Sequence, residues 1–382
     1  MNDLTPQLKR LSSWYRESVI PLWVSAAYDR KNGGFFEALD FDGAPLASLE
    51  RRVRVQSRQI HTLTHFALHN WAPEAEAIAA KGFDDLLRFA CPDNGESGCA
   101  HRLSPSNEVI DDKRDLYDQA FLLLACAARI KAGETRANQI ADNVMAFVNH
   151  TLRSKAGGWL EDDCNTLPRR ANPHMHLLEA YTALLRATGA KIWQEQANEI
   201  VSLFSTKFFD PKHGVLREFF DETLTLAAGN PGTIIEPGHM MEWAWLLRDF
   251  GTQTERPPLP ETHILIKNGI ELGTDETSIF LLNTRSTDNL VKTGPKRLWP
   301  QTEYLRVLLG YAQDHPDYAN KANGLIEALF DNYFDTKTPG LWCDLLDENN
   351  QKAAKNVPAS ILYHLYETVR VAEDYLETQK RP

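Results

Sequence analysis

Six segments of this chain read alike, and their spacing fixes what the chain can build. They are RVQSRQIHTLTH (from Arg54), DLYDQAFLLL (from Asp115), NPHMHLLEAY (from Asn172), EPGHMMEWAW (from Glu236), WPQTEYLRVL (from Trp299) and VPASILYHLYE (from Val357). Anchored on Arg58, Gln119, His176, His239, Gln301 and His364, they recur every 57–63 residues. A fixed period of that length marks a repeat architecture. Each segment opens with polar residues and then shows apolar residues three and four apart, the signature of a buried helix face. A second helix fits into each remaining interval, as in MEWAWLLRDFG followed by a new apolar run beyond residue 260. Six helix pairs predict an all-α chain in the form of an (α/α)6 barrel.

A second repeat runs out of phase with the first. Gly-rich stretches such as DRKNGGFFEALD (29–40), SKAGGWLEDD (154–163), DPKHGVLREFF (210–220) and DTKTPGLWCDLLD (335–347) each precede an inner helix. They read as short β-hairpins in the connecting loops. Only TQTERPPLPETH (252–263) resembles a linker, and it falls between repeats, so the reading is one catalytic domain over 1–382. Proline stands at or near the first turn of four segments, as Pro173, Pro237, Pro300 and Pro358, where its missing N–H costs nothing. Asn172, just before Pro173, reads as an N-cap.

If six such helices run parallel inside a barrel, their polar first turns meet at one end. That end is predicted to be a concave site rimmed by Arg58, Asp118, Gln119, His176, His239, Glu242, Gln301, Glu303 and His364. Capping alone accounts for any one of these residues, but less well for a convergent set of histidines, arginine and glutamine. Histidine titrates near neutrality, so two across a pocket can pass protons to and from a substrate. Glu242 follows His239 by three residues, on one helix face, and is expected to hold its tautomer. Arg58 suits a developing oxyanion. Tyr117, Trp243 and Trp299 are candidates to stack on a sugar or exclude water.

Other chemistries fit less well. His61, His65 and His69 form a four-residue stripe that could ligate a metal, but no HExxH accompanies it and no carboxylate completes it in sequence. The expectation is no metal and no cofactor. The carboxylates a glycosidase needs are available only in loops, at Asp111–Asp112 and Glu161–Asp163. The net charge of −11 argues against nucleic acid as a partner. No run of about 18 apolar residues predicts a membrane span. Five cysteines, an odd number without a CxxC pair, suit a reducing compartment, and the amphipathic N-terminus does not read as a signal peptide. The chain is expected to be cytoplasmic, a monomer or weak homodimer, acting on a small molecule.

NPHMHLLEA (172–180), EPGHMMEWAWLL (236–247) and RLWPQTE (297–303) resemble the signatures of the N-acylglucosamine 2-epimerase superfamily. The resemblance runs from about Arg54 to His364 and is strongest to the mannose isomerase and aldose–ketose isomerase branch. It implies metal-free isomerisation of mannose- or lyxose-type aldoses to ketoses through a cis-enediol. A 2-epimerase on the same scaffold, or an isomerase of a phosphorylated or sulfonated sugar, are the alternatives. It implies catalytic roles for His239 and His364 with Glu242, and substrate binding by Arg58, Asn172 and His176. Tyr117, Met175, Trp299 and Gln301 are the further pocket residues expected.

Overall fold

Each repeat becomes a pair of packed helices in the computed structural model, which describes residues 3–288, 293–313 and 315–379. Six inner helices close a ring, each packed on the next: α3 (Val53–Leu68), α5 (Leu116–Lys131), α7 (Ala171–Thr188), α10 (Pro237–Gln253), α12 (Leu298–Tyr311) and α14 (Ile361–Thr378). Outside them lie α4 (Ala75–Ala90), α6 (Arg136–Thr151), α8 (Lys191–Leu203), α11 (Pro260–Gly273) and α13 (Pro316–Asn332). The N-terminal helix α1 (Thr5–Trp14), which continues through a π-helical turn (Tyr15–Val19) into α2 (Ile20–Ala26), packs on α14 as its outer partner. One short helix, α9 (Asn230–Thr233), sits in a loop. The chain folds as an (α/α)6 barrel with few short strands. Among the described residues no helix is long and apolar enough to cross a membrane.

The two helix layers follow from their composition. Inner α5 is apolar on nearly every face and buried from Leu116 to Arg129 except at Tyr117, as a helix enclosed by neighbours must be. Outer α4 buries Ala75, Ala79, Phe83, Leu86 and Ala90, a single stripe at helical spacing, and leaves its other face to water.

Two-residue strands hold the mouth. The pair just before an inner helix bonds to the hairpin of the next repeat: Arg51–Arg52 with Arg102–Leu103, Arg169–Arg170 with Phe219–Phe220, Ile234–Ile235 with Arg285–Ser286, and Lys296–Arg297 with Leu345–Leu346. Val357–Pro358 pairs back with Ala38–Leu39, joining the last repeat to the first. Pro358 therefore lies in a strand and not in the first turn of α14. Asn172 lies inside α7, whose N-cap is Arg170, so the expected capping role falls away.

A side chain at the fourth residue of four inner helices clasps the preceding hairpin. Gln56 accepts from the Phe35 N–H at 2.6 Å and donates to its C=O at 2.9 Å. Gln119 does the same to Cys99 and Gln301 to Leu281, at 2.8–2.9 Å. His174 Nε2 accepts from the Trp159 N–H at 3.2 Å. Gln301, expected in the pocket, is thus fully buried in a clamp. Gln119→Ala leaves both backbone groups of buried Cys99 unpaired, so it is expected to cost about 2 kcal/mol of unfolding free energy. An unchanged denaturation midpoint in urea would refute the clamp.

Candidate active site

Positions two residues beyond the clamps turn about 200° around the helix and point into the barrel. In α3, α7 and α12 these are Arg58, His176 and Glu303; His364 of α14, a helix without a clamp, stands at the same distance, six residues, from the end of its preceding strand. The first-turn residues Arg54, Tyr117, Asn172, Trp299 and Ser360 line the mouth above them. With Arg58, His176, His364, His239 and Glu242 they line a pocket of about 240 Å³, the scale of a monosaccharide, while Glu303 lies buried behind His364. Its walls are polar and its residues come from all six repeats.

His239 breaks the pattern. It occupies the register where other helices place a clamp, yet its ring turns to a side chain. Nδ1–H donates to Glu218 at 3.1 Å, with Glu236 3.4 Å away. Burial alone would push the imidazolium down; Glu236, Glu218 and Glu242 outweigh it, and His239 is pushed up to about 10. It is a cation at neutral pH. Its Nε2 lies 2.9 Å from the Asn172 amide. With the amide turned so that Oδ1 faces the ring, a protonated His239 donates at both nitrogens, and the otherwise unpartnered Asn172 Oδ1 is satisfied.

His364 has the opposite character. Nδ1–H donates to Glu303 at 2.8 Å, leaving Nε2 for the pocket. Burial lowers the imidazolium, the Glu303 bond only partly offsets this, and Arg58 and Arg306 lower it further, to about 4. It is neutral at neutral pH. Glu303 stays ionised in spite of burial because Arg306, at 3.1 Å, and His364 stabilise its charge. Trp299 stands between the two histidines, its ring centroid 5.0 Å from His239 and 5.7 Å from His364. Gly238 makes room for it: a Cβ there would lie 2.7 Å from the Trp299 ring.

Glu242, expected to orient His239, does not. That partner is Glu218, which comes from the hairpin before α10 and carries no signal in the helix repeat. Glu242 lies instead 3.9 Å from His176 Nε2 and close to Glu303 and His364. Burial and the neighbouring Glu303 and Glu179 side chains push its pKa well up. The protonated Glu179 carboxyl donates to His176 Nδ1 at 3.0 Å, which puts the His176 proton on Nε2, and Tyr363 donates its hydroxyl to the other oxygen of that carboxyl. Burial pushes Glu179 up to about 8. Arg58 lies 4.2 Å from the Phe121 ring and donates to the Tyr117 hydroxyl at 2.9 Å. Met175 is fully buried in the core and does not line the pocket. The His61 stripe lies outside this pocket: His61 Nε2 meets Glu367 at 3.2 Å and His69 Nε2 the Tyr366 hydroxyl at 3.1 Å.

The mouth carries a further repeat. Arg52, Arg170 and Arg297 immediately precede α3, α7 and α12, alternate repeats of the six. Each is anchored by a buried acid, Glu37, Glu161 or Asp344, and each remains more than a third exposed toward the opening.

The same architecture occurs in solved proteins. A cellobiose 2-epimerase from Spirochaeta thermophila DSM 6192 superimposes with a TM-score of 0.87 at 21% identity, over 99% of this chain and 98% of that one. A D-mannose isomerase superimposes with a TM-score of 0.83 at 20% identity, over 97% and 98%. In sequence, the mannose-6-phosphate isomerase of Rhizobium meliloti strain 1021 is 30% identical over 98% of this chain and 99% of its own length. The family model described as N-acylglucosamine 2-epimerase matches residues 34–368, a span that contains every pocket residue named above, and the chain belongs to that family.

Proposed function

We propose that the protein is a metal-independent aldose–ketose isomerase acting on mannose-type sugars through a cis-enediol. The observation that carries this reading is the pair of opposite charge states: His239 is loaded with a proton while His364 is empty, in one sugar-sized pocket. Two titratable groups whose surroundings push them apart are an acid and a base ready at the same pH. His239 donates its Nε2 proton to the ring oxygen as the C1–O5 bond breaks, and the anomeric O1 hydroxyl releases its proton to water, leaving the open-chain aldehyde. His364 Nε2 takes the C2 proton, and the electron pair moves to form the C1–C2 double bond. Arg58 and neutral His176 donate to the enediolate oxygens. His364 then returns the proton to C1 on the same face, and the O2–H proton passes to O1 as O2 becomes the ketone oxygen. The 2-epimerase alternative shares the intermediate and differs only in where the proton goes back, at C2 from the opposite face.

Incubation with D-mannose in D2O with EDTA, followed by NMR, tests this. Fructose, carrying deuterium at C1 where exchange with solvent competes, is the expected product. Glucose deuterated at C2 would make the enzyme an epimerase, and activity that EDTA abolishes would end the metal-independent scheme.

A phosphorylated or sulfonated sugar is the second reading, and the three mouth arginines favour it. Guanidinium groups tethered from behind suit an oxyanion at the far end of the substrate, and the full-length relative bears the name mannose-6-phosphate isomerase. On this reading kcat/KM for mannose 6-phosphate exceeds that for mannose, and Arg297→Gln removes the excess without changing turnover of mannose itself. Equal kcat/KM for the two sugars would leave the neutral substrate.

A further inference from the structure

The barrel has a second opening. At the C-terminal ends of the inner helices lies a cavity of about 560 Å³, separate from the sugar pocket. Its floor includes Glu179, Arg306 and Glu367. These are the residues that bond upward to His176 and Glu303 and sideways to His61, so one layer of side chains divides the two cavities.

The charges around this cavity do not all find partners. Arg186 is matched by Asp249 at 2.8 Å, and Arg370 by Glu367 and Asp374 at 3.2 and 3.1 Å. Lys131, at the end of α5, has no ion pair among the described residues. Arg306, 2% exposed, is paired with Glu303 and Glu367 at 3.1 Å through its two terminal nitrogens, but its Nε has no hydrogen-bond partner; His61 is 4% exposed and its Nδ1 has none. A guanidinium N–H only donates, so whatever satisfies it must accept. Helix C-termini bring partial negative charge to this end, and Arg186 and Arg370 are placed to offset it. At the floor the carboxylates of Glu303 and Glu367 surround Arg306; at the rim the cations outweigh the acids. After burial, Arg186 and Arg370 are what lower the Lys131 ammonium, and Arg370 and Lys131 are what lower the His69 imidazolium.

We propose that this cavity is a binding site for a small oxyanion, a carboxylate or a phosphate, held between Lys131 at the rim and Arg306 at the floor. The cavity is large enough for a carboxylic acid or phosphate ester of several carbons, and its apolar wall, with Leu124, Ala127 and Leu246, would cover such a skeleton. This site is independent of what the sugar pocket does.

Inorganic phosphate and succinate, titrated separately into the full chain by calorimetry and thermal shift, test the proposal. Either anion is expected to bind and raise the Tm. Lys131→Glu is expected to weaken that binding at least tenfold while sugar turnover stays at the wild-type rate, because Lys131 is far from the reacting atoms. Binding is expected to survive in Arg297→Gln. Phosphate binding alone would specify a phosphoryl ligand, and succinate binding alone a carboxylate. Binding that survives Lys131→Glu but is lost in Arg297→Gln would place the anion at the sugar mouth and overturn the proposal, as would the absence of binding by both anions.

Discussion

His364→Asn is expected to lower kcat by roughly 10³-fold, the usual contribution of a well-placed general base, while leaving the fold and the binding of sugar in place. The reason is specific to its surroundings. His364 is kept neutral by burial and by Arg58 and Arg306, against the pull of Glu303, so it is the group in the pocket able to accept a carbon-bound proton. Glu179, which lies nearby, is pushed up to about 8 by burial and cannot substitute for it at neutral pH. Two NMR readings separate loss of the base from general damage. Exchange of the C2 proton with D2O is expected to disappear. Ring opening, measured as the rate at which the two anomers interconvert, is expected to persist because His239 is untouched. Near-normal turnover in this variant would remove His364 from the mechanism. Loss of both exchange and ring opening, with a lowered Tm, would mean that the substitution had disturbed the pocket as a whole.

The sequence carried the barrel well because its cause is periodic. Inner helices must be apolar on nearly all sides, outer ones on a stripe, and both patterns survive in a single chain. The inward polar set was legible for the same reason: Arg58, His176 and His364 stand at one register in three repeats. What the sequence did not separate is the job each polar first-turn residue performs. Gln301 and His176 look equally eligible as text, but two residues of helix turn one toward a hairpin and the other toward the lumen. Met175 stands between two histidines in the chain, yet its side chain points into the core. Glu218 was missed because it belongs to a loop and reaches His239 only through the strand pairing at Phe219–Phe220. The sole trace of it in the chain is a charged residue in an otherwise apolar run, VLREFF, which matches many solvated loops. The alternation of Arg52, Arg170 and Arg297 was likewise open to reading, since the basic pairs RR, RR and KR stand before alternate repeats. It gains meaning only when the strands set all three around one opening.

The charge of His239 gives the second large effect, and its sign can be worked out. In the free enzyme the acid must be protonated and the base empty, so kcat/KM is expected to hold a plateau between an acid limb near 4, from His364, and an alkaline limb near 10, from His239. Glu218 accepts the Nδ1 proton and, with Glu236 and Glu242, stabilises the imidazolium. Glu218→Gln keeps a hydrogen-bond acceptor at the same place but removes one negative charge. The imidazolium loses stabilisation, its pKa falls, and the alkaline limb moves to lower pH. A fall of about two units corresponds to about 3 kcal/mol, within the range for a hydrogen-bonded buried charge pair. Above pH 8 the variant is then expected to lose roughly tenfold for each further unit, where the wild type is flat. The acid limb should stay near 4, because Glu218 does not touch His364. A Glu218→Gln profile that superimposes on the wild type would show that Glu236 and Glu242 suffice to load His239. An acid limb that moves while the alkaline limb stays would exchange the two histidines' roles, making His239 the base and His364 the group that opens the ring.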